Sequence, residues 1–145
     1  MRLAYRRLTI ALALAAALGV ARPVSVSAQD PPAAPSRLAV IWSSADPDVA
    51  KRVCFMYTHA AKRQKWFDEV TLIVWGPSAR LLVGDKDLQA EVKAMAADGV
   101  VVVACQACAD SFGVTPQLKA LGIDVKYMGK PLTDMLKGGW KVLTF

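Results

Sequence analysis

Five consecutive apolar residues, Val100-Val-Val-Val-Ala104, stand between Gly99 and Cys105. A strand with one face in water alternates apolar and polar residues. A strand apolar on both faces belongs inside a parallel sheet with helices over both sides. That run therefore predicts an α/β chain, and the segments around it agree. Arg37–Ser43, Glu69–Trp75, Ile123–Tyr127 and Trp140–Phe145 read as four further strands. Between them lie helical patterns. Asp46-Pro47-Asp48 opens the first, with acids at the positive end of the dipole. Its expected apolar stripe is Val49, Val53, Met56, Tyr57 and Ala60, and Lys62, Arg63 and Lys65 close it. Residues 78–83 form a short helix, and residues 86–98 a longer one with Leu88, Val92, Met95 and Ala96 inward. Gly99 stops that helix. Residues 108–112 make a helical turn and residues 116–121 a short helix. Residues 131–137 make a helix with Leu132, Met135 and Leu136 inward. Strands alternating with helices predict a mainly parallel sheet.

The amino-terminal stretch is different. Arg2, Arg6 and Arg7 precede an apolar run from Leu8 to Ala21, followed by Val24-Ser-Val-Ser-Ala28. This is the pattern of a signal peptide cleaved between Ala28 and Gln29. The apolar run has 14 residues, whereas a bilayer-spanning helix needs about 20. The expected organisation is a signal peptide at 1–28, a disordered proline-rich lead-in at 29–36 and one domain at 37–145. The expected location is the periplasm, with no membrane association after cleavage. The whole chain carries a formal net charge of +6. Residues 1–28 hold four arginines and no acid, so the remainder keeps 14 cations against 12 acids, or +2. A nucleic-acid partner is not expected from so even a balance.

In an open α/β sheet, ligands bind beyond the carboxyl ends of the strands. Those ends supply Ser43 and Ser44, Trp75 and Gly76, Cys105, and Met128 and Gly129 as pocket candidates. Cys105 and Cys108 form Cys-Gln-Ala-Cys at a strand-to-helix junction. A thiol there faces backbone N–H groups that favour thiolate, and a second thiol three residues on can resolve an oxidised or sulfur-loaded first one. The same pair is compatible with core packing, with a structural disulfide in an exported protein, or with a two-thiolate Cu(I) site. No cation lies within residues 104–112, so activation falls to the backbone or to a cation brought in by the fold. A zinc site needs about four ligands, which two close cysteines do not supply, and no resident metal or other cofactor is expected. Cys54 reads as a packed thiol in the first helix. His59, the only histidine, reads as a solvated residue on that helix's polar side.

The stretch Val100-Val-Val-Val-Ala-Cys-Gln-Ala-Cys-Ala-Asp-Ser-Phe-Gly-Val114 resembles the active-site segment of the DsrE-like family of sulfur-relay proteins. Leu121–Gly129, Trp140–Phe145 and Val74–Arg80 are similar to exported single-domain members. The resemblance spans Arg37 to Phe145. It implies a three-layer α/β/α sandwich with a mainly parallel five-stranded sheet, and a homo-oligomer, commonly a trimer or hexamer. It also implies that the Cys eight residues before Gly113, Cys105, carries sulfur as a persulfide. Cys108 matches a second Cys of some members. Partners would then be sulfur donor and acceptor proteins or small sulfur compounds. The alternatives are a dithiol/disulfide redox protein and a binding module for a ligand or Cu(I).

Overall fold

A computed structural model describes residues 34–145. The expected signal peptide and the first part of the lead-in, residues 29–33, lie outside the described residues. Ala34–Ser36 are exposed and belong to no helix or strand.

Five strands follow: β1 (Arg37–Trp42), β2 (Glu69–Val74), β3 (Val101–Cys105), β4 (Asp124–Lys126) and β5 (Lys141–Thr144). Each starts and ends within about two residues of the sequence expectation, the usual ambiguity of element ends. They form one sheet in the order β4-β3-β2-β1-β5, and every pairing is parallel. The run that predicted an interior strand, β3, has a neighbour on each side.

Topology decides where the helices go. From β1 to β4 the chain steps one way across the sheet, and from β4 to β5 it returns past β1. Crossovers between parallel strands are right-handed, so reversing direction moves the connection to the other face. The forward connections are α1 (Pro47–Val49), which continues through a π-helical stretch (Ala50–Phe55) into α2 (Met56–Arg63), then α3 (Ser78–Gly84), α4 (Lys86–Ala97), α5 (Gln106–Ser111) and α6 (Thr115–Ala120). All of these helices after α1, with the π-helical stretch, send side chains into one core with Leu38, Val40, Trp42, Leu72, Val74 and Ala104. The return connection is α7 (Gly129–Lys137). Its Leu132 and Met135 pack with Ala39, Ile41, Ile73, Val103 and Val142 on the opposite face. The architecture is the expected three-layer α/β/α sandwich.

Asp46 and Asp85 cap the helices they precede. Each carboxylate accepts two backbone N–H bonds, from Asp48 and Val49 and from Asp87 and Leu88. The expected stripe of the first helix is out of phase. Val53 and Met56 are exposed, and Ala50, Cys54, Phe55, Thr58 and Ala61 are buried. The π-helical stretch widens the turn, and mostly small residues let the helix lie close to the sheet while the bulkier ones face out. Ala96 and Leu136, both expected inward, are exposed as well. Leu136 lies beyond the narrow strip of α7 that meets the sheet. Trp42 is fully buried, edge-on to Phe55 at 4.8 Å between ring centroids.

Candidate functional site

The carboxyl ends of β3 and β4 lead in opposite directions. β3 runs straight into α5 on the first face, and β4 leads to α7 on the second. Such a divergence marks the strand ends where α/β proteins place their ligands. Cys105 is the last residue of β3, paired with Lys126 of β4, and its side chain belongs to the second face.

The helix after Cys105 begins earlier than the sequence suggests. Instead of a turn at residues 108–112, α5 starts at Gln106. Cys105 is thus its N-cap residue, in extended conformation and with no side-chain capping bond, and Cys108 lies in the first turn. Both are free thiols. Cys105 is only 4% exposed, packed with Val103, Ile73 and Met128, whereas Cys108 is half-buried beside Trp75. Burial pushes the Cys108 thiol up, and the neighbouring Cys105 adds to that rise. The backbone N–H groups of Gly76 and of Cys108 itself pull the other way. Cys108 therefore keeps its proton longer than a free thiol and can offer it to Cys105.

The remaining sequence candidates divide into two groups. Trp75, Gly76 and Met128 meet the thiol pair, and Gly129 follows as the exposed first residue of α7. Ser43 and Ser44 are engaged elsewhere. Both N–H groups, at 2.6 and 3.2 Å, and the Ser43 hydroxyl, at 2.8 Å, donate to the Phe145 carbonyl. Arg80 lies over the Phe112 ring at 5.2 Å, so the donor identified at Cys108 is backbone. His59 is not simply solvated. Its Nε2 meets Asp98 at 2.6 Å, at the amino ends of the strands and away from the thiols. Cys54 is fully buried, and burial pushes its thiol from 9.0 to about 12, which makes it inert.

Sequence reasoning missed Ser78. It is fully buried, its hydroxyl donates to the Trp42 carbonyl at 2.6 Å, and its oxygen accepts from Trp75 N–H at 3.1 Å. Nothing local marks this role, because the partner strand lies 36 residues upstream.

A parallel α/β/α sandwich with a Cys-x-x-Cys pair at the carboxyl end of a central strand defines a class of thiol-bearing domain. Residues 36–145 match the model of the DsrE/DsrF-like family, and this chain belongs to that family. A conserved protein of unknown function from Bacteroides thetaiotaomicron is 35% identical, with a TM-score of 0.73 over 76% of this chain and 95% of its own. The ychN protein of E. coli shares the fold at 17% identity, with a TM-score of 0.62 over 76% of this chain and 99% of its own. No curated protein matches.

Proposed function

We propose that this protein is an exported sulfur carrier that holds sulfane sulfur as a persulfide on Cys105, assisted by Cys108. The observation that carries this reading is the pair itself. Cys105 sits at the carboxyl end of β3, beside β4, in an apolar setting, and a protonated, more accessible Cys108 lies beside it. Membership of the DsrE/DsrF-like family supports sulfur-relay chemistry.

The Cys105 thiolate attacks the sulfane sulfur of a donor persulfide or polysulfide. A new S–S bond forms, the donor's S–S bond breaks, and the donor leaves as a thiolate or a shorter polysulfide. Apolar packing around Cys105 keeps water and stray thiols from the cargo. Unloading takes one of two routes. An acceptor thiolate attacks the outer sulfur and regenerates Cys105. Otherwise the Cys108 thiolate attacks the Cys105 sulfur, forms the Cys105–Cys108 disulfide and expels hydrosulfide. In that second step the dithiol is oxidised and the outer sulfur reduced, so atoms and electrons balance. The donor and acceptor are sulfur-bearing proteins or small sulfur compounds, and the carrier works as a trimer or hexamer in the periplasm after cleavage behind Ala28.

Intact mass measurement of the reduced mature protein after polysulfide exposure tests this. The expected result is a reductant-reversible gain of sulfur atoms, lost in Cys105→Ser and kept in Cys108→Ser. Loss of two hydrogens alone, requiring both cysteines, would overturn the carrier reading in favour of a dithiol redox protein. Edman sequencing of the secreted chain should begin at Gln29.

A further inference from the structure

We propose that Lys126 is the binding residue for the loaded sulfur: when Cys105 carries a persulfide, the Lys126 ammonium leaves Asp124 and pairs with the negatively charged outer sulfur. The proposal rests on the carrier reading and deepens it, by naming the charge that the fold brings to a segment with none of its own. No cation lies within residues 104–112.

Strand pairing supplies the juxtaposition. β4 lies at the edge of the sheet, parallel to β3, with Lys126 opposite Cys105 and Asp124 opposite Val103. Partners on neighbouring parallel strands stand about 4.8 Å apart and turn their side chains to the same face. A separate observation fixes which face. Val125, between the two charged residues, is 9% exposed and belongs to the first core, whereas Val103 and Cys105 belong to the second. Side chains alternate along a strand, so Asp124 and Lys126 lie on the Cys105 face. A slip of one residue would turn both charges into the first core and put Val125 in water, so the register is strongly held.

The resting contact is one that can be exchanged. Lys126 Nζ meets Asp124 Oδ2 at 2.6 Å, two residues back on the same strand, and the two side chains are 48% and 60% exposed. A pair so open to water is weak. Two other cations near these strand ends sit on helices: Lys130 meets Asp134 at 2.6 Å along α7, and Arg80 lies over Phe112. Lys126 is the cation that strand pairing itself sets beside a thiol.

Loading is the trigger. The new S–S bond lengthens Cys105 by about 2 Å. A persulfide is a stronger acid than its parent thiol, so the added atom carries the negative charge. The neighbours of Cys105 include Ile73, Val103 and Met128, and an unpaired charge among apolar side chains is costly. Lys126 has a flexible four-carbon stem and a compact charge, so it can turn from Asp124 toward the strand end while the backbone stays in place. The proton of the loaded group goes to solvent, Asp124 is left hydrated, and no covalent bond changes in the exchange.

Intact mass of the reduced protein, titrated with polysulfide, tests this. Half-loading of Lys126→Met should need about fivefold more polysulfide than wild type, and the gap should narrow as salt is raised. Lys126→Arg should keep most of the wild-type loading. Asp124→Asn releases the lysine and should reach half-loading at about twofold less polysulfide. Both positions are exposed, so thermal midpoints should stay near that of wild type and separate lost binding from lost folding. A Lys126→Met variant that loads like wild type overturns the proposal. So does an Asp124→Asn variant that loads as poorly as Lys126→Met, because the ion pair would then be structural. A wild type that takes up no sulfur ends the carrier reading as well, whereas wild-type uptake with an indifferent Lys126→Met ends this proposal alone.

Discussion

The two faces of the sheet are built to different standards. The first is covered by the π-helical stretch and α2–α6, and the side chains it takes from the central strands are shut away from water: Leu38, Val40, Trp42, Leu72 and Val74 are all at most 1% exposed. The second has α7 alone. Its Leu132 and Met135 are half-buried, and Val101 is 56% exposed. Each face also carries cysteine. Cys54, under the first face's helices, is raised to about 12, and the pair on the second face lies at the strand-to-helix junction after β3. The same side chain is a small hydrophobe in one place and a candidate reagent in the other. What separates them is the single reversal of strand order that sends α7 to the other side.

The largest expected effect tests that difference in packing. Leu72→Ala, at a fully buried position on the first face, should cost about 3 kcal/mol in denaturant unfolding, as cavity-forming changes do. Leu132→Ala on α7 should cost about 1 kcal/mol, because the side chain is only half-buried and water can fill the space. Equal losses would break the comparison and place α7 in the main core.

Reactivity gives the next test. Below pH 9 the population of Cys54 thiolate should fall about a thousandfold below that of a free thiol, since three pH units separate 9.0 from about 12. Iodoacetamide should modify Cys108 in the native protein and reach Cys54 only on unfolding. The linked stability has a definite sign. Burial raises the folded value above the unfolded one, so the contribution is full below pH 9 and is lost as pH rises toward 12. Wild type minus Cys54→Ala should show that loss, and a flat difference would mean that Cys54 is not held protonated.

Much of this asymmetry could be read from the chain, but not all of it. Turn glycines, the Asp46 and Asp85 caps and five apolar runs locate every strand and most helices, because those signals are local. The face to which Cys105 belongs was not legible. Val100–Ala104 is apolar at every position, so its pattern carries no alternation that could assign a side. The π-helical stretch was hidden for a related reason: Ala50–Phe55 contains neither glycine nor proline, and a 3.6-residue period placed the stripe on Val53 and Met56. Cys105 and Cys108 were identifiable as a pair by spacing. The bond from Ser78 to the Trp42 carbonyl was not identifiable, since parallel pairing of β1 and β2 brings those residues together across 36 positions of sequence.

Capping follows the same division between faces and sets a smaller effect. Asp85 caps α4 on the first face with two hydrogen bonds. Met128, before α7, offers no side-chain cap. Asp85→Ala should cost about 1 kcal/mol. A substitution of exposed Gly129 in the first turn of α7 should change stability less. If the two are equal, α7 draws more on its own amino end than its burial implies.

The smallest effect lies where the two faces have a common boundary. Asp68, just before β2, accepts the Ser36 N–H at 2.7 Å and the Ser36 hydroxyl at 2.9 Å, tying the entry of β1 to that of β2. Those bonds hold its carboxyl below the ordinary 3.8. A lowered carboxylate stabilises the fold above its unfolded value, and that contribution disappears as pH falls through the folded one. The carboxyl is fully solvated, so the loss should be slight. It should appear only below about pH 4, as a small difference in thermal midpoint between wild type and Asp68→Asn. Because the tie precedes both faces, Asp68→Asn should add to Leu72→Ala and to Leu132→Ala by the same amount. Coupling with only one of them would show that the strand entry is braced by that face, and that the asymmetry of the sheet reaches its amino ends.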